Sequence, residues 1–175
     1  MRADAERNRA KVVEAAMKAF AEDGLSVSVA EIGRRAGVGT GTVSRHFPTK
    51  ESLFEAIVGA EVAEIHAEAE RLRREETPGE AFSRFFAFMV GRATADRGLA
   101  EALSGGGFDI EAAAARTGHD LESLESALLT DAQRAGTVRA DVTRADVKAL
   151  LNACVAAPDR ERMIEIVVAG LRPSD

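Results

Sequence analysis

Between Ser28 and Pro48 the chain packs two short helical segments around a glycine turn, and this pattern limits the local fold more than any other feature. Ser28 is a good N-cap, and Glu31 lies three residues on, where a capping box would place it, so a helix is predicted from about Val29 to Ala36. Gly37-Val38-Gly39 follows, and a glycine there takes the left-handed conformation of a tight turn. A second short helix is predicted from Thr40 or Gly41 to about Phe47, with Pro48 closing it. Ahead of both, Val13, Ala16, Met17 and Phe20 form an apolar stripe at i, i+3, i+4, i+7 on a segment that stops at Gly24. Three helices, the last two joined by the turn, are the sequence form of a helix-turn-helix.

The rest of the chain keeps the helical period. From Thr49, another N-cap, the residues Phe54, Ile57, Val58, Val62, Ile65, Ala69 and Leu72 share a face on a helix expected to reach about Glu76, with the breakers Thr77-Pro78-Gly79 beyond it. A boundary between domains is expected inside this long helix. Phe82, Phe85, Phe86, Met89 and Ala93 form the next stripe, and Ser104-Gly105-Gly106-Gly107 reads as the most flexible stretch. Leu121, Leu124, Leu128 and Ala132 lie on a helix that should end at Gly136. Thr143, with Asp146 three residues on, opens a helix bearing Val147, Leu150, Leu151 and Cys154, and Pro158 is expected at the first position of a last helix with Ile164, Val167, Val168 and Leu171. No alternating β-branched or aromatic run of strand length occurs, so the fold class is all-α: an N-terminal three-helix module with a helix-turn-helix, joined to a larger helical domain.

Composition excludes several classes. One cysteine, Cys154, permits neither an internal disulfide nor a cysteine-based zinc site. No apolar run approaches the roughly 18 residues a membrane span needs, and the charged start is unlike a signal peptide, so a cytoplasmic location with no membrane partner is expected. The net charge of −6 is unevenly spread: residues 1–60 carry nine basic and eight acidic side chains, and the acidic excess lies behind them. An acidic whole therefore leaves room for a basic docking face.

A helix entering the major groove needs short or forked polar side chains on its outer face and small residues where backbone approaches DNA. Thr40, Gly41, Thr42, Ser44 and Arg45 meet that description, while Val38, Val43 and Phe47 supply the face that packs inward. Arg45 suits either a guanine edge or a phosphate, His46 and Lys50 suit phosphates, and Ser28 suits both a phosphate and its cap. The run Ala30-Glu31-Ile32-Gly33-Arg34-Arg35-Ala36-Gly37-Val38-Gly39-Thr40-Gly41-Thr42-Val43-Ser44-Arg45-His46-Phe47-Pro48-Thr49-Lys50-Glu51-Ser52-Leu53-Phe54 resembles the DNA-binding region of TetR-family transcriptional regulators, over about residues 8–58. Two departures stand out: Ser44 holds a position usually aromatic, most often Tyr, and Gly33 one that is often Ala.

The resemblance implies a homodimer bound to palindromic double-stranded operator DNA, with residues 1–48 as the DNA-binding domain and 49–175 as the effector-binding and dimerisation domain. It implies a repressor released by a small-molecule effector, apolar in part, that changes the tilt of the fourth helix. Phe82, Phe85, Phe86, Met89 and Phe108 are the candidate wall of an effector cavity, with plain core packing as the other reading. Val147, Leu150, Leu151, Cys154, Ile164, Val167, Val168 and Leu171 are the candidate dimer interface, because Ile164, Ile166, Val167 and Val168 cannot all face one side of a helix. No histidine has a second histidine or a carboxylate at a metal-like spacing beyond chance, so neither metal nor cofactor is expected. No nucleophile elbow or phosphate-binding glycine loop is present, which argues against an enzyme. The alternative from another class is a DNA-organising or protein-interaction factor of the same fold with no effector.

Overall fold

Local capping decides where the helices begin and end in the computed structural model, which describes residues 2–173. These residues form α1 (Arg2–Asp23), α2 (Val29–Ala36), α3 (Thr40–His46), α4 (Lys50–Glu75), α5 (Pro78–Ala95), α6 (Arg97–Gly105), α7 (Ile110–Ala115), α8 (Leu121–Arg134), α9 (Arg144–Ala156) and α10 (Arg160–Gly170), with no strand among them. None of these helices is long and apolar enough to cross a membrane.

The caps follow the sequence closely. Thr49 Oγ1 accepts from Ser52 N at 3.1 Å, and Ser52 Oγ accepts from Thr49 N at 3.3 Å, a reciprocal pair that starts α4. Thr143 and Asp146 close a full capping box at the head of α9. The last helix differs from expectation: Asp159 caps it by accepting from Arg162 N at 3.0 Å, so α10 begins at Arg160 and Pro158 lies outside it. A short acidic side chain that satisfies an orphan N–H prevailed over the fixed φ of proline.

Two helices, α6 and α7, lie where no helix is predicted from the sequence, and they are short, at nine and six residues. Ser104 and Gly105, expected to be flexible, form the last turn of α6, and Phe108 N then donates to Leu103 O at 3.0 Å. Leu99 and Leu103, four residues apart, are the buried apolar side chains on the described part of α6, a stripe only one turn long.

The chain divides into two compact units. The first comprises residues 1–63 and 96–119, and the second residues 64–95 and 120–175, so the division passes within α4. In the first, α1 packs on α2, α3 and α6, and α2 packs on α3. Val12, Val13, Ala16 and Phe20 of α1, Ile32 of α2, Val43 of α3 and Phe47 are buried there. Phe54 of α4 meets Phe20 and Phe108 edge to face, each with ring centroids 5.4 Å apart, and Arg116 pairs with Glu55 at 2.8 Å.

The second unit holds two apolar clusters. Phe82, Phe86 and Val90 of α5 pack with Leu129 and Ala132 of α8, Val138, Cys154 of α9, and Val167 and Leu171 at the end of the chain. Ala69 and Leu72 of α4 pack with Ala81 and Phe85 of α5 and with Leu124 and Leu128 of α8. The Phe85 and Phe82/Phe86 positions lie on neighbouring sides of α5, so one helix serves both clusters.

Candidate nucleic-acid interface

The geometry of α2, its turn and α3 is built from residues within a few positions of one another. Ser28 Oγ accepts from Glu31 N at 3.2 Å and caps α2. The Glu31 carboxylate does not close a box with Ser28; it is taken by Arg34, with bonds of 2.8 and 2.7 Å, and by Arg35 at 2.9 Å. The hydrogen bonds from Arg34 and then Arg35 hold the Glu31 carboxyl down to about 2. Arg35 also reaches Asp23 at 2.6 Å, which ties α2 to the end of α1.

Gly37 ends α2 at φ 65°, with its N–H on Arg34 O at 3.2 Å and Val38 N on Gly33 O at 2.9 Å. This paired bonding reverses the chain in two residues and requires the left-handed conformation that glycine adopts without strain. Gly33 matters through close packing: a Cβ built on it would lie 3.0 Å from Val38 O and 3.1 Å from Val43 Cγ2. The absent side chain lets α3 sit tightly on α2, with Ile32 and Val43 both at 0% exposure.

The inward packing of Val43 and Phe47 leaves Thr40, Gly41, Ser44 and Arg45 exposed on the outer face of α3, with Thr42 and His46 half-buried. The seven residues of α3 include no carboxylate. Arg45 makes no ion pair among the described residues. The Lys50 ammonium donates to Leu25 O at 2.8 Å, closing the loop between α1 and α2. One cation was not marked by the sequence. Arg9 of α1 lies over the Phe47 ring, its guanidinium carbon 5.5 Å from the centroid, and a separation of thirty-eight residues leaves no periodic signal of this pairing.

The candidate cavity residues belong to several apolar packings. Phe82 and Phe86 belong to one apolar cluster of the second unit, and Phe85 belongs to the other, with Phe88 and Met89 packed against it. Phe108 lies in the first unit against Phe54. A cleft of about 650 Å³ in the second unit is lined by other residues, among them Arg73, Ser123, Ser126, Thr130 and Asp131.

The candidate interface residues separate by depth. Cys154, Val167 and Leu171 are 0%, 9% and 6% exposed and belong to the unit's own core, and burial pushes the Cys154 thiol pKa up. Val147, Leu150, Leu151, Ile164 and Val168 are partly buried beside it. Ile166 on α10, 52% exposed, is the large apolar side chain left facing outward among the described residues.

Residues 12–57 match the family of bacterial regulatory proteins described as the tetR family, and residues 77–173 match the C-terminal domain described as transcriptional regulator SbtR-like. A TetR transcription regulatory protein from Mycobacterium vanbaalenii is 48% identical, with a TM-score of 0.84 over 98% of this chain and 99% of that one. A TetR transcriptional regulator from Streptomyces coelicolor is 34% identical, with a TM-score of 0.77 over 95% and 99%. An HTH-type transcriptional regulator of Staphylococcus aureus is 43% identical over 54 residues, 30% of this chain and 29% of that protein.

Proposed function

Because the chain belongs to the TetR family of transcriptional regulators, we propose that it acts as a homodimeric repressor that leaves its operator when a small molecule binds. The observation that carries this reading is the outer face of α3: Thr40, Gly41, Ser44 and Arg45 are exposed, and no carboxylate stands among them, in a chain of net charge −6. Small groups admit the helix to the major groove, and Arg45 supplies a fork for a guanine edge or a phosphate. Two copies, one per subunit, would occupy successive major grooves of a palindromic site.

In this reading residues 1–48 bind the operator and residues 49–175 bind effector and partner subunit. The second copy covers Val147, Leu150, Leu151, Ile164 and Val168, which their own unit leaves partly exposed, together with the exposed Ile166, because apolar surface left to water gains from being covered. The effector, apolar in part, favours a conformation in which α4 tilts and the two α3 helices no longer match their grooves. Such a ligand must bind the released form more tightly than the DNA-bound one, so operator DNA weakens effector binding by the same factor.

The test is binding of purified protein to DNA from the region upstream of its own gene, followed by fluorescence anisotropy over a salt series. A specific site is expected to bind at least about a thousandfold tighter than unrelated DNA at matched salt. Arg45→Ala is expected to abolish that preference. Binding indifferent to sequence, both there and after selection from a random pool, overturns the reading.

A further inference from the structure

Arg9 stands on the exposed side of α1, and its guanidinium carbon lies 5.5 Å from the centroid of the Phe47 ring. Phe47 is the residue that terminates α3, and at 2% exposure its ring is fixed in place. The His46 ring lies beside it, with centroids 6.2 Å apart. A cation carried by α1 is thereby held at the C-terminal end of α3, the end that also bears Arg45 and His46. An arginine over a ring engages it through its charge and flat face, so the N–H donors in the guanidinium plane stay available to another acceptor.

The pairing of the neighbouring cations sharpens the point. Arg7 pairs with Asp4, and Arg34 and Arg35 pair with Glu31, Arg35 also with Asp23. Arg9 and Arg45 are the arginines between residues 4 and 50 that have no carboxylate partner in the described structure. One lies on α3 and the other is brought to the end of α3 from a different helix. An exposed guanidinium with unused donors, immobilised by an aromatic ring, is preorganised for an anion, and duplex DNA offers phosphates along both edges of the groove.

We propose that Arg9 is a DNA-backbone contact: α1, through Arg9 seated on Phe47, grips a phosphate at the edge of the groove that α3 enters. This rests on the DNA-binding reading above. Phe47 acts as the positioning residue, and a grip from α1 independent of α3 sets how the recognition helix lies in the groove without reading sequence.

The experiment measures affinity of the full chain for two labelled duplexes, one of unrelated sequence and one recovered by selection from a random pool, each over a salt series. Arg9→Gln is expected to flatten the slope of log affinity against log salt by about 0.9, the share of one phosphate, on both duplexes while the ratio between them holds. Arg9→Lys, which keeps the charge, is expected to keep the slope. An unchanged slope in Arg9→Gln overturns the proposal even where affinity falls, because a disturbed fold lowers the active fraction and not the number of counterions released. A slope that changes on only one duplex overturns it as well, since a phosphate grip is blind to sequence. If the unaltered protein binds neither duplex, the DNA-binding reading fails and this inference falls with it; if it binds normally and only the slope prediction fails, the DNA-binding reading survives.

Discussion

Replacing Gly33 by alanine sets a local preference against a packing constraint, and the structure decides which wins. In an open helix the change stabilises by up to about 1 kcal/mol, because alanine restricts the unfolded chain and favours the helical backbone. At Gly33 the new methyl would meet Val38 O at 3.0 Å and Val43 Cγ2 at 3.1 Å, several tenths of an ångström inside ordinary separations. Neither neighbour yields easily. Val38 is held in the turn by its own N–H on Gly33 O at 2.9 Å, and Val43 is at 0% exposure on the inner face of α3. Overpacking of this kind costs about 1–3 kcal/mol, so the net expectation is a loss of about 1 kcal/mol and a melting temperature lower by about 2–4 °C. Thermal unfolding followed by circular dichroism measures it, and the double variant Gly33→Ala/Val43→Ala tests the cause. If the clash is real, the two changes together should destabilise less than the sum of each alone. A rise in melting temperature for Gly33→Ala, or strict additivity in the double variant, would refute the reasoning and mean that the turn gives way freely.

Three further outcomes follow from named contacts. Lys50→Met removes the bond to Leu25 O and is expected to destabilise by about 1 kcal/mol through the partly buried carbonyl left behind; a variant of unchanged stability but weakened DNA affinity would show that Lys50 serves phosphate instead. The Glu31 carboxyl is held below its ordinary value of 4.5, down to about 2, so the stability from its pairs with Arg34 and Arg35 is fully present above pH 4.5 and falls away as pH drops towards 2. Denaturant titrations across that window should show a shallower pH dependence in Glu31→Gln than in the unaltered protein, and identical dependences would contradict the assignment. Ile166→Glu places a charge on a 52% exposed position, so the fold should persist while the sedimentation coefficient falls to that of a monomer; an intact dimer would remove Ile166 from the interface.

How far function was legible varies along the chain. The caps at Ser28, Thr49 and Thr143, the turn at Gly37 and the outward face of α3 were readable because each depends on residues at most a few positions apart. The helices α6 and α7 were not, since at nine and six residues each is too short for its pattern to stand out from the glycines and breakers around it. The start of α10 was misplaced by two residues, because proline at a first position and aspartate at a cap compete over the same few residues.

Sequence alone determined the all-helical class, the helix-turn-helix and the polar residues it presents, because capping chemistry, left-handed glycine and a period of 3.6 act over a single turn of chain. Tertiary structure decided what those local rules cannot carry. It seated Arg9 on Phe47, sent the Lys50 ammonium to Leu25 O, divided the phenylalanines of α5 between two clusters, and sorted the apolar residues of α9 and α10 into core and surface. In each case the partners stand far apart in sequence or compete for the same helix face, and only the packing of whole helices determines which side of a residue meets protein and which meets water.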